Sequence, residues 1–257
     1  MGTSWDIMCG FGGRRPVLRL CPGRKEIRMR KWILVMSVAV LMAASASGQV
    51  KQVNVEQVLN LLDKANTTFK TVQTSFVWDQ YQKVVDEHYS QQGVMYFRRS
   101  GNSVEMAADI QKPDRKYLLF SGEELQVYLP KADQVTRYMA GKNRQDFETY
   151  LVLGFGGRGH DLPKNFDVHY AGVEAVGGAQ TYKLELVPKA QKAKAMFRLI
   201  TLWIDQQTGM SVQQKFQENG DDYRLAKYSS IRVNQKLPDN AFKLKTTGKT
   251  KYISPNS

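Results

Sequence analysis

The chain has 257 residues, of which 37 are basic and 24 acidic, and it carries a formal net charge of +13. Its two cysteines, Cys9 and Cys21, both precede residue 29, so the remainder has no disulfide, thiol nucleophile or cysteine-ligated metal site. Eight basic and two acidic residues precede Gln49, which leaves a scattered net charge of +7 after it. Such scattered charge is typical of a solvated surface and argues against nucleic-acid binding.

Residues 29–48 have the pattern of a secretory signal peptide. Basic residues at 30 and 31 precede an apolar run over 33–44 and a stretch of small residues over 45–48. The run is shorter than the roughly 20 residues that span a bilayer, which argues against a membrane anchor. A retained N-terminal anchor is the alternative interpretation of this segment. We therefore expect cleavage near Ala46 to Gly48, a mature N-terminus between Ser47 and Val50, and export to the periplasm.

Residues 1–28 precede this signal and contain several glycines and prolines without a periodic apolar pattern. We interpret them as an unstructured leader that reflects a start-site error, with Met29 as the true start. The predicted organisation is therefore a leader (1–28), a signal peptide (29–48) and one domain (49–257).

The domain begins with a predicted helix that ends near Lys70. Asn54 is a suitable N-cap. The apolar positions that follow recur at three- and four-residue spacing, namely Val55, Val58, Leu59, Leu62, Ala65 and Phe69.

Alternating apolar and polar residues dominate the chain after this helix. They predict eleven strands, at about 72–84, 88–99, 102–111, 114–121, 124–130, 133–139, 167–176, 179–188, 196–205, 210–219 and 221–234. Asn219-Gly220 predicts a type I′ turn, and Gly177-Gly178 joins its flanking strands in the same way. The pattern favours a mainly β, α+β fold, in which a single antiparallel sheet is rolled up.

A helical interruption is expected at 144–166, between the sixth and seventh strands. It contains two short predicted helices, Asp146–Leu153 and Asp161–Phe166, separated by a glycine-rich loop over 154–160. The loop lacks the G-K-[ST] ending of a phosphate-binding loop, so we interpret it as a flexible hinge.

Many strand positions predicted to face inward are aromatic. They are Phe76, Trp78, Tyr96, Tyr117, Tyr182, Phe197, Trp203 and Phe216. Such residues either fill a sealed core or line a ligand site, and the pattern alone favours the filled core. The stretch 196–204 is apolar on both faces, so either its outer side is covered or the strand is central.

No motif for catalysis is present in the sequence. The three histidines, His88, His160 and His169, have no zinc-site spacing, and no nucleophile elbow occurs. We therefore predict a protein that is not an enzyme and uses no metal or other cofactor.

Two segments resemble the periplasmic outer-membrane lipoprotein carrier family (LolA-like). In the first, Gly93 to Tyr138, the landmarks are Lys112-Pro113, Phe120-Ser121-Gly122 and Tyr128-Leu129-Pro130. In the second, Leu202 to Ile253, they are Ile204-Asp205, Thr208-Gly209 and the spacing Asn234, Leu237, Phe242. The resemblance implies a half-open antiparallel β-barrel whose short lid helices cover an apolar cavity.

The implied function is that of a periplasmic chaperone that binds the acyl chains of lipoproteins and delivers them toward the outer membrane. The implied partners are an inner-membrane release complex and an outer-membrane acceptor, with the carrier itself a monomer. The resemblance adds Arg99 to the eight aromatics as a site residue that latches the lid, although Ser100 stands where the family has proline.

Two alternatives share this half-barrel and are not enzymes either. One is a periplasmic lipid-binding or envelope-stress sensing module, and the other is an envelope-assembly protein with a filled core and no ligand.

Overall fold

The computed structural model describes residues 53–101, 103–139 and 153–254. Its first element is helix α1 (Val55–Thr68), which confirms the predicted N-terminal helix. The Asn54 side chain accepts a hydrogen bond from the Gln57 N–H at 3.0 Å, and the Gln57 side chain accepts one from the Asn54 N–H. This capping box satisfies two of the amide donors that a helix start leaves unpaired.

The strands form one sheet. Their bounds are β1 (Thr71–Gln82), β2 (Glu87–Ser100), β3 (Ser103–Lys112), β4 (Lys116–Ser121), β5 (Glu124–Leu129), β6 (Gln134–Met139), β7 (Phe166–Val176), β8 (Ala179–Pro188), β9 (Leu199–Asp205), β10 (Ser211–Gln217), β11 (Tyr223–Val233) and β12 (Lys251–Ile253). Their order is β12-β6-β5-β4-β3-β2-β1-β11-β10-β9-β8-β7, so the curved sheet stays open, with β12 and β7 at its edges.

All eleven predicted strands are present, and the mainly β class is confirmed. The sequence did not predict β12, which pairs in parallel with β6. Helix α2 (Leu162–Asn165) lies within the second predicted lid helix, whereas helix α3 (Gln191–Met196) was not expected. Two 3₁₀ turns, Pro130–Ala132 and Gly159–Asp161, complete the described elements.

The two glycine-containing turns behave differently. Gly177 and Gly178 have φ of 58° and 85° between the paired residues Val176 and Ala179, as a type I′ turn requires. The type I′ prediction at Asn219-Gly220 is wrong, because Gly220 has φ of 93° but Asn219 is not left-handed. Asn219 instead donates side-chain hydrogen bonds to carbonyls at the end of α3.

The sheet has an inner face, which carries α1, and an outer face. On β8 and β9 the inner residues Leu184, Leu186, Ile200, Leu202 and Ile204 are fully buried. They pack against the α1 residues Val58, Leu59 and Leu62, which confirms the apolar stripe predicted for this helix.

The glycine-rich loop is a packed element of the inner face and not the flexible hinge that we expected. Leu153 and Phe155 are buried, and the Phe155 ring stacks on that of Phe97 at 4.7 Å. Gly159 lies so close to the α1 backbone at Leu59 that a Cβ atom would clash with it. The first predicted lid helix, Asp146–Leu153, lies outside the described residues except for its last position.

The outer face of β4–β6 is covered by residues 238–245, where Leu244 packs against Tyr117, Tyr128 and Val135. At the same edge, the Asp133 carboxylate accepts hydrogen bonds from the hydroxyls of Thr247 and Thr250, both 2.6 Å. These contacts place β12 beside β6. None of the helices in the described part of the chain is long and apolar enough to cross a membrane.

Candidate functional site

An apolar cavity of about 460 Å³ lies against the inner face, beyond the part of the sheet that α1 covers. Its walls come from β1 to β5 on one side and from β10, β11 and Phe197 on the other. The apolar lining residues are Trp78, Met95, Met106, Ile110, Leu118, Leu125, Val127, Phe197, Phe216, Leu225, Ala226 and Tyr228. Polar side chains, among them Gln80, Gln91, Lys116 and Arg224, complete the lining.

The glycine-rich loop packs against Tyr228, a residue of the cavity wall. Phe155 meets the Tyr228 ring edge-on at 4.7 Å, while Tyr228 itself lines the cavity. The Tyr228 hydroxyl donates a hydrogen bond to Gln214 Oε1 at 3.1 Å, and the Gln214 amide donates to the Leu153 carbonyl. Burial raises the pKa of Tyr228, so its hydroxyl stays neutral and the cavity interior carries no charge there.

Three of the predicted site aromatics line this cavity, namely Trp78, Phe197 and Phe216. The rings of Phe197 and Phe216 are 5.3 Å apart. Phe76 is buried in the core directly beside the cavity, with its ring 4.5 Å from that of Trp78. The structure therefore brings these four residues together around one space.

Tyr182 also faces inward, as predicted, but it lies away from the cavity. It packs with Tyr170 at 6.2 Å between ring centroids, beside the apolar cluster under α1.

The inward orientation predicted for Tyr96, Tyr117 and Trp203 is wrong. Tyr96 and Tyr117 lie on the outer face, in a groove that they share with residues 238–245. Trp203 lies on the outer face of β9 under the Lys183 ammonium, whose Nζ is 5.3 Å from the ring. Alternation separates the two faces of a strand but does not say which one is inner when both carry aromatics.

Arg99 lies on the inner face, at the junction of α1 and the glycine-rich loop. Its guanidinium donates hydrogen bonds to the carbonyls of Phe69 at 3.2 Å and Asn66 at 3.0 Å, and contacts that of Gly156 at 3.5 Å. The Asn66 side-chain amide also donates to the Gly156 carbonyl. These bonds join three backbone segments, the geometry that a latch needs.

Arg98, the neighbouring residue, points to the opposite face. Its Nε donates a hydrogen bond to Glu105 Oε2 at 2.7 Å, and its guanidinium lies 4.1 Å from the Phe242 ring centroid. The two neighbouring arginines therefore lie on opposite faces of β2.

His160 forms a second junction between α1 and the loop region. Its Nε2 is 3.0 Å from Glu56 Oε1, and its Nδ1 contacts the Asp63 carboxylate. The hydrogen bond to Asp63, followed by that to Glu56, raises the pKa of His160, because both carboxylates favour the imidazolium form. The described residues include no group of three or more His, Cys, Asp or Glu side chains that could hold a metal ion.

The cavity contains residues that the aromatic pattern did not identify. Met95, Met106, Leu118, Leu125 and Val127 line it from the inner face of β2 to β5. Their alternation along each strand was visible in the sequence. Nothing in the sequence, however, distinguishes an inner position that lines a cavity from one that α1 covers.

Residues 67–245 match the family described as outer membrane lipoprotein carrier protein LolA. The match spans well over half of the chain. The chain belongs to the LolA family. Members of this family bind lipids or lipoproteins and act as carriers or binding proteins.

Two solved structures show the same fold at low sequence identity, and a third is a weaker match. An uncharacterised conserved protein from Thermus thermophilus has 12% identity and a TM-score of 0.51, covering 78% of this chain and 98% of that one. MucB has 13% identity and a TM-score of 0.50, covering 77% of this chain and 65% of MucB. The lipoprotein LppX from Mycobacterium tuberculosis has 13% identity and a TM-score of 0.44, covering 72% and 97%. A search of curated proteins found no match.

Proposed function

We propose that this LolA-family protein is a periplasmic carrier that shields the acyl chains of lipoproteins and delivers them toward the outer membrane. The observation that supports this most directly is the apolar cavity on the inner face of an open sheet. A sealed core would leave no such space, and a catalytic site would need a constellation of reactive groups there.

The size and chemistry of the cavity suit an acyl chain. Its volume lies within the range of about 300–1,000 Å³ that is usual for small-molecule sites. Trp78, Leu118, Leu125 and Val127 are only partly buried, so a bound chain would remove their apolar surface from water. Each methylene transferred from water stabilises the complex by about 0.8 kcal/mol, which makes a carrier for free acyl chains necessary.

Delivery needs a donor and an acceptor. An inner-membrane release complex would load the cavity and an outer-membrane acceptor would empty it, with the carrier travelling between them as a monomer. The proposed export of the chain, through cleavage of the signal peptide at 29–48, would bring it to the compartment where such a transfer occurs.

Displacement of a fluorescent apolar dye tests the binding step. The exported protein, isolated from the periplasm of a bacterial host, should bind the dye and release it to a synthetic triacylated lipopeptide. The same peptide without acyl chains should not compete. A folded protein from which no acylated ligand displaces the dye would contradict the proposal.

Val127→Trp places a large ring in the cavity and should weaken lipopeptide binding roughly tenfold, which corresponds to about 1.4 kcal/mol. Gln126→Trp is the matched control, because Gln126 adjoins Val127 on β5 but points to the outer face. Equal affinity for the two variants would place the binding site elsewhere.

A further inference from the structure

The lining of the cavity changes from apolar to polar along four of its strands, always toward the end that carries the β1–β2, β3–β4 and β10–β11 turns. The changes are from Trp78 to Gln80 on β1, from Met95 to Gln91 on β2, from Leu118 to Lys116 on β4 and from Tyr228 to Arg224 on β11. The four polar residues form a polar rim. A site with apolar walls and a polar rim suits an amphiphile, because its chain and its headgroup need different surroundings.

Three side chains of the polar rim are available to a headgroup. Those of Gln80, Gln91 and Lys116 make no hydrogen bond or ion pair among the described residues. Lys116 is half-buried and pairs across the strands with Ile110, a fully buried residue of the cavity wall. Its apolar stem therefore lies along the wall and its ammonium at the rim, as is usual for a lysine beside an apolar surface.

Lys116 carries the charge of the cavity wall that is not compensated. The other charged residues of the lining are Asp79 and Arg224. Asp79 Oδ2 is 3.8 Å from the Lys227 ammonium, and Arg224 Nε is 2.8 Å from Glu218 Oε1. Since both of these charges are paired and that of Lys116 is not, the wall keeps a positive charge at this point of the rim.

The acids that lie near Lys116 along the chain or in the next turn are occupied by other groups. Asp114, two positions before Lys116, pairs with the Lys131 ammonium. Asp133, in the β5–β6 turn, is held on the outer side of the sheet, where hydroxyl groups donate hydrogen bonds to its carboxylate. Neither carboxylate is therefore free to neutralise the ammonium at the rim.

Three acids at the β1–β2 and β10–β11 turns have no ion pair among the described residues, namely Asp86, Glu87 and Asp222. They are too distant to compensate Lys116. Glu87 is six residues along β2 from Gly93, the position level with Lys116 across β3, and this corresponds to about 20 Å of strand. Charges in solution are largely screened beyond about 8–10 Å at physiological salt.

We propose that the cavity selects acyl chains that carry an anionic headgroup, with the chain packed against Leu118 and Val127 and the headgroup bound at Lys116. An ammonium offers three donors and no acceptor, so a carboxylate or phosphate both bonds to it and offsets its charge, whereas a neutral ester only bonds to it. This inference rests on the proposed binding of acyl chains in the cavity, but it does not require that the chains belong to lipoproteins.

Competition for the fluorescent apolar dye tests the headgroup preference on the exported protein. Three compounds with the same palmitoyl chain are compared below the concentrations at which they form micelles. Palmitate carries a carboxylate, palmitoyl lysophosphatidylglycerol carries a phosphate, and monopalmitoylglycerol is neutral. The two anions should displace the dye at concentrations about tenfold lower than the neutral glyceride, and the gap should narrow as salt screens the charge.

Variants of Lys116 assign this preference to its charge. Lys116→Gln should bind both anions about tenfold more weakly but should bind the dye and the neutral glyceride as the unaltered protein does, because only the charge is removed. Lys116→Arg keeps the charge and should keep the preference. Lys245→Gln is the matched control, since Lys245 lies on the outer face, with its Nζ 5.7 Å from the Tyr117 ring.

A preference for anions that survives in Lys116→Gln would overturn the proposal, as would equal displacement by the three compounds from the unaltered protein. Preference for only one of the anions would support it and would identify the headgroup as a carboxylate or a phosphate. If no acylated compound displaces the dye, the carrier proposal fails and this one fails with it. If the lipopeptide and the neutral glyceride compete as well as the anions do, only the headgroup preference fails.

Discussion

The inner face of the sheet is built in the same way at its two ends but is used differently. On β8 and β9 every inner aliphatic side chain is fully buried under α1, whereas Leu118, Leu125 and Val127 on β4 and β5 border an open cavity. The strands have similar alternation, so the difference does not come from strand pattern. Among the described residues it comes from α1, which packs against the inner face of β8 and β9 and not against that of β4 and β5.

The largest expected effect is a difference in stability between the two ends. Leu202→Ala should lower the free energy of unfolding by about 2–5 kcal/mol, because it leaves a hole among Leu184, Ile200 and the α1 residues. Leu118→Ala should cost about 1 kcal/mol or less, since its side chain already borders the cavity. Urea denaturation of both variants measures the difference, and equal losses would show that the cavity end is packed as tightly as the other.

A smaller effect is expected at Arg99, which donates hydrogen bonds to carbonyls at the end of α1 and contacts a carbonyl of the glycine-rich loop. If these bonds stabilise the closed, empty state, Arg99→Leu should leave the fold intact and raise lipopeptide affinity about tenfold, with slower release. Arg98→Leu, on the outer face, is the control. Identical affinity and release rates for both variants and the unaltered protein would reject a latch at Arg99.

The smallest effect concerns His160 and its two carboxylate partners on α1. Its pKa is raised in the folded state, so its contribution to stability is complete below its ordinary value of 6.5 and disappears as pH rises through the elevated value. His160→Gln should therefore be less stable than the unaltered protein near pH 6 and equally stable near about pH 9. Urea midpoints at the two pH values test this sign, and a gap that widens toward pH 9 would contradict it.

The sequence predicted the sheet well because alternation and turn residues act locally. Gly177-Gly178 and the Asn54 cap each specify a structure within a few residues, and both predictions are confirmed. Strand β12 was missed because three residues in a parallel pair leave no pattern. Its position depends on bonds from Thr247 and Thr250 to the distant Asp133.

The candidate site was predicted less completely, for a physical reason. Trp78, Phe197 and Phe216 line the cavity as expected, but Tyr96, Tyr117 and Trp203 lie on the outer face. An outer aromatic resembles an inner one whenever another part of the chain covers it, as residues 238–245 cover Tyr117. Only the tertiary arrangement decides between them.

The strand order also has a consequence for how the chain folds. Strands β1 to β6 and β7 to β11 are two meanders of consecutive hairpins, joined only where β1 meets β11. Each meander can pair as it is synthesised. Pairing of β1 with β11 requires residues much later in the chain, such as Ser229, whose carbonyl accepts a hydrogen bond from the Thr74 hydroxyl 155 positions away. Because closing so long a loop is slow, we expect the two meanders to form first and their union to complete the cavity, whose walls come from both.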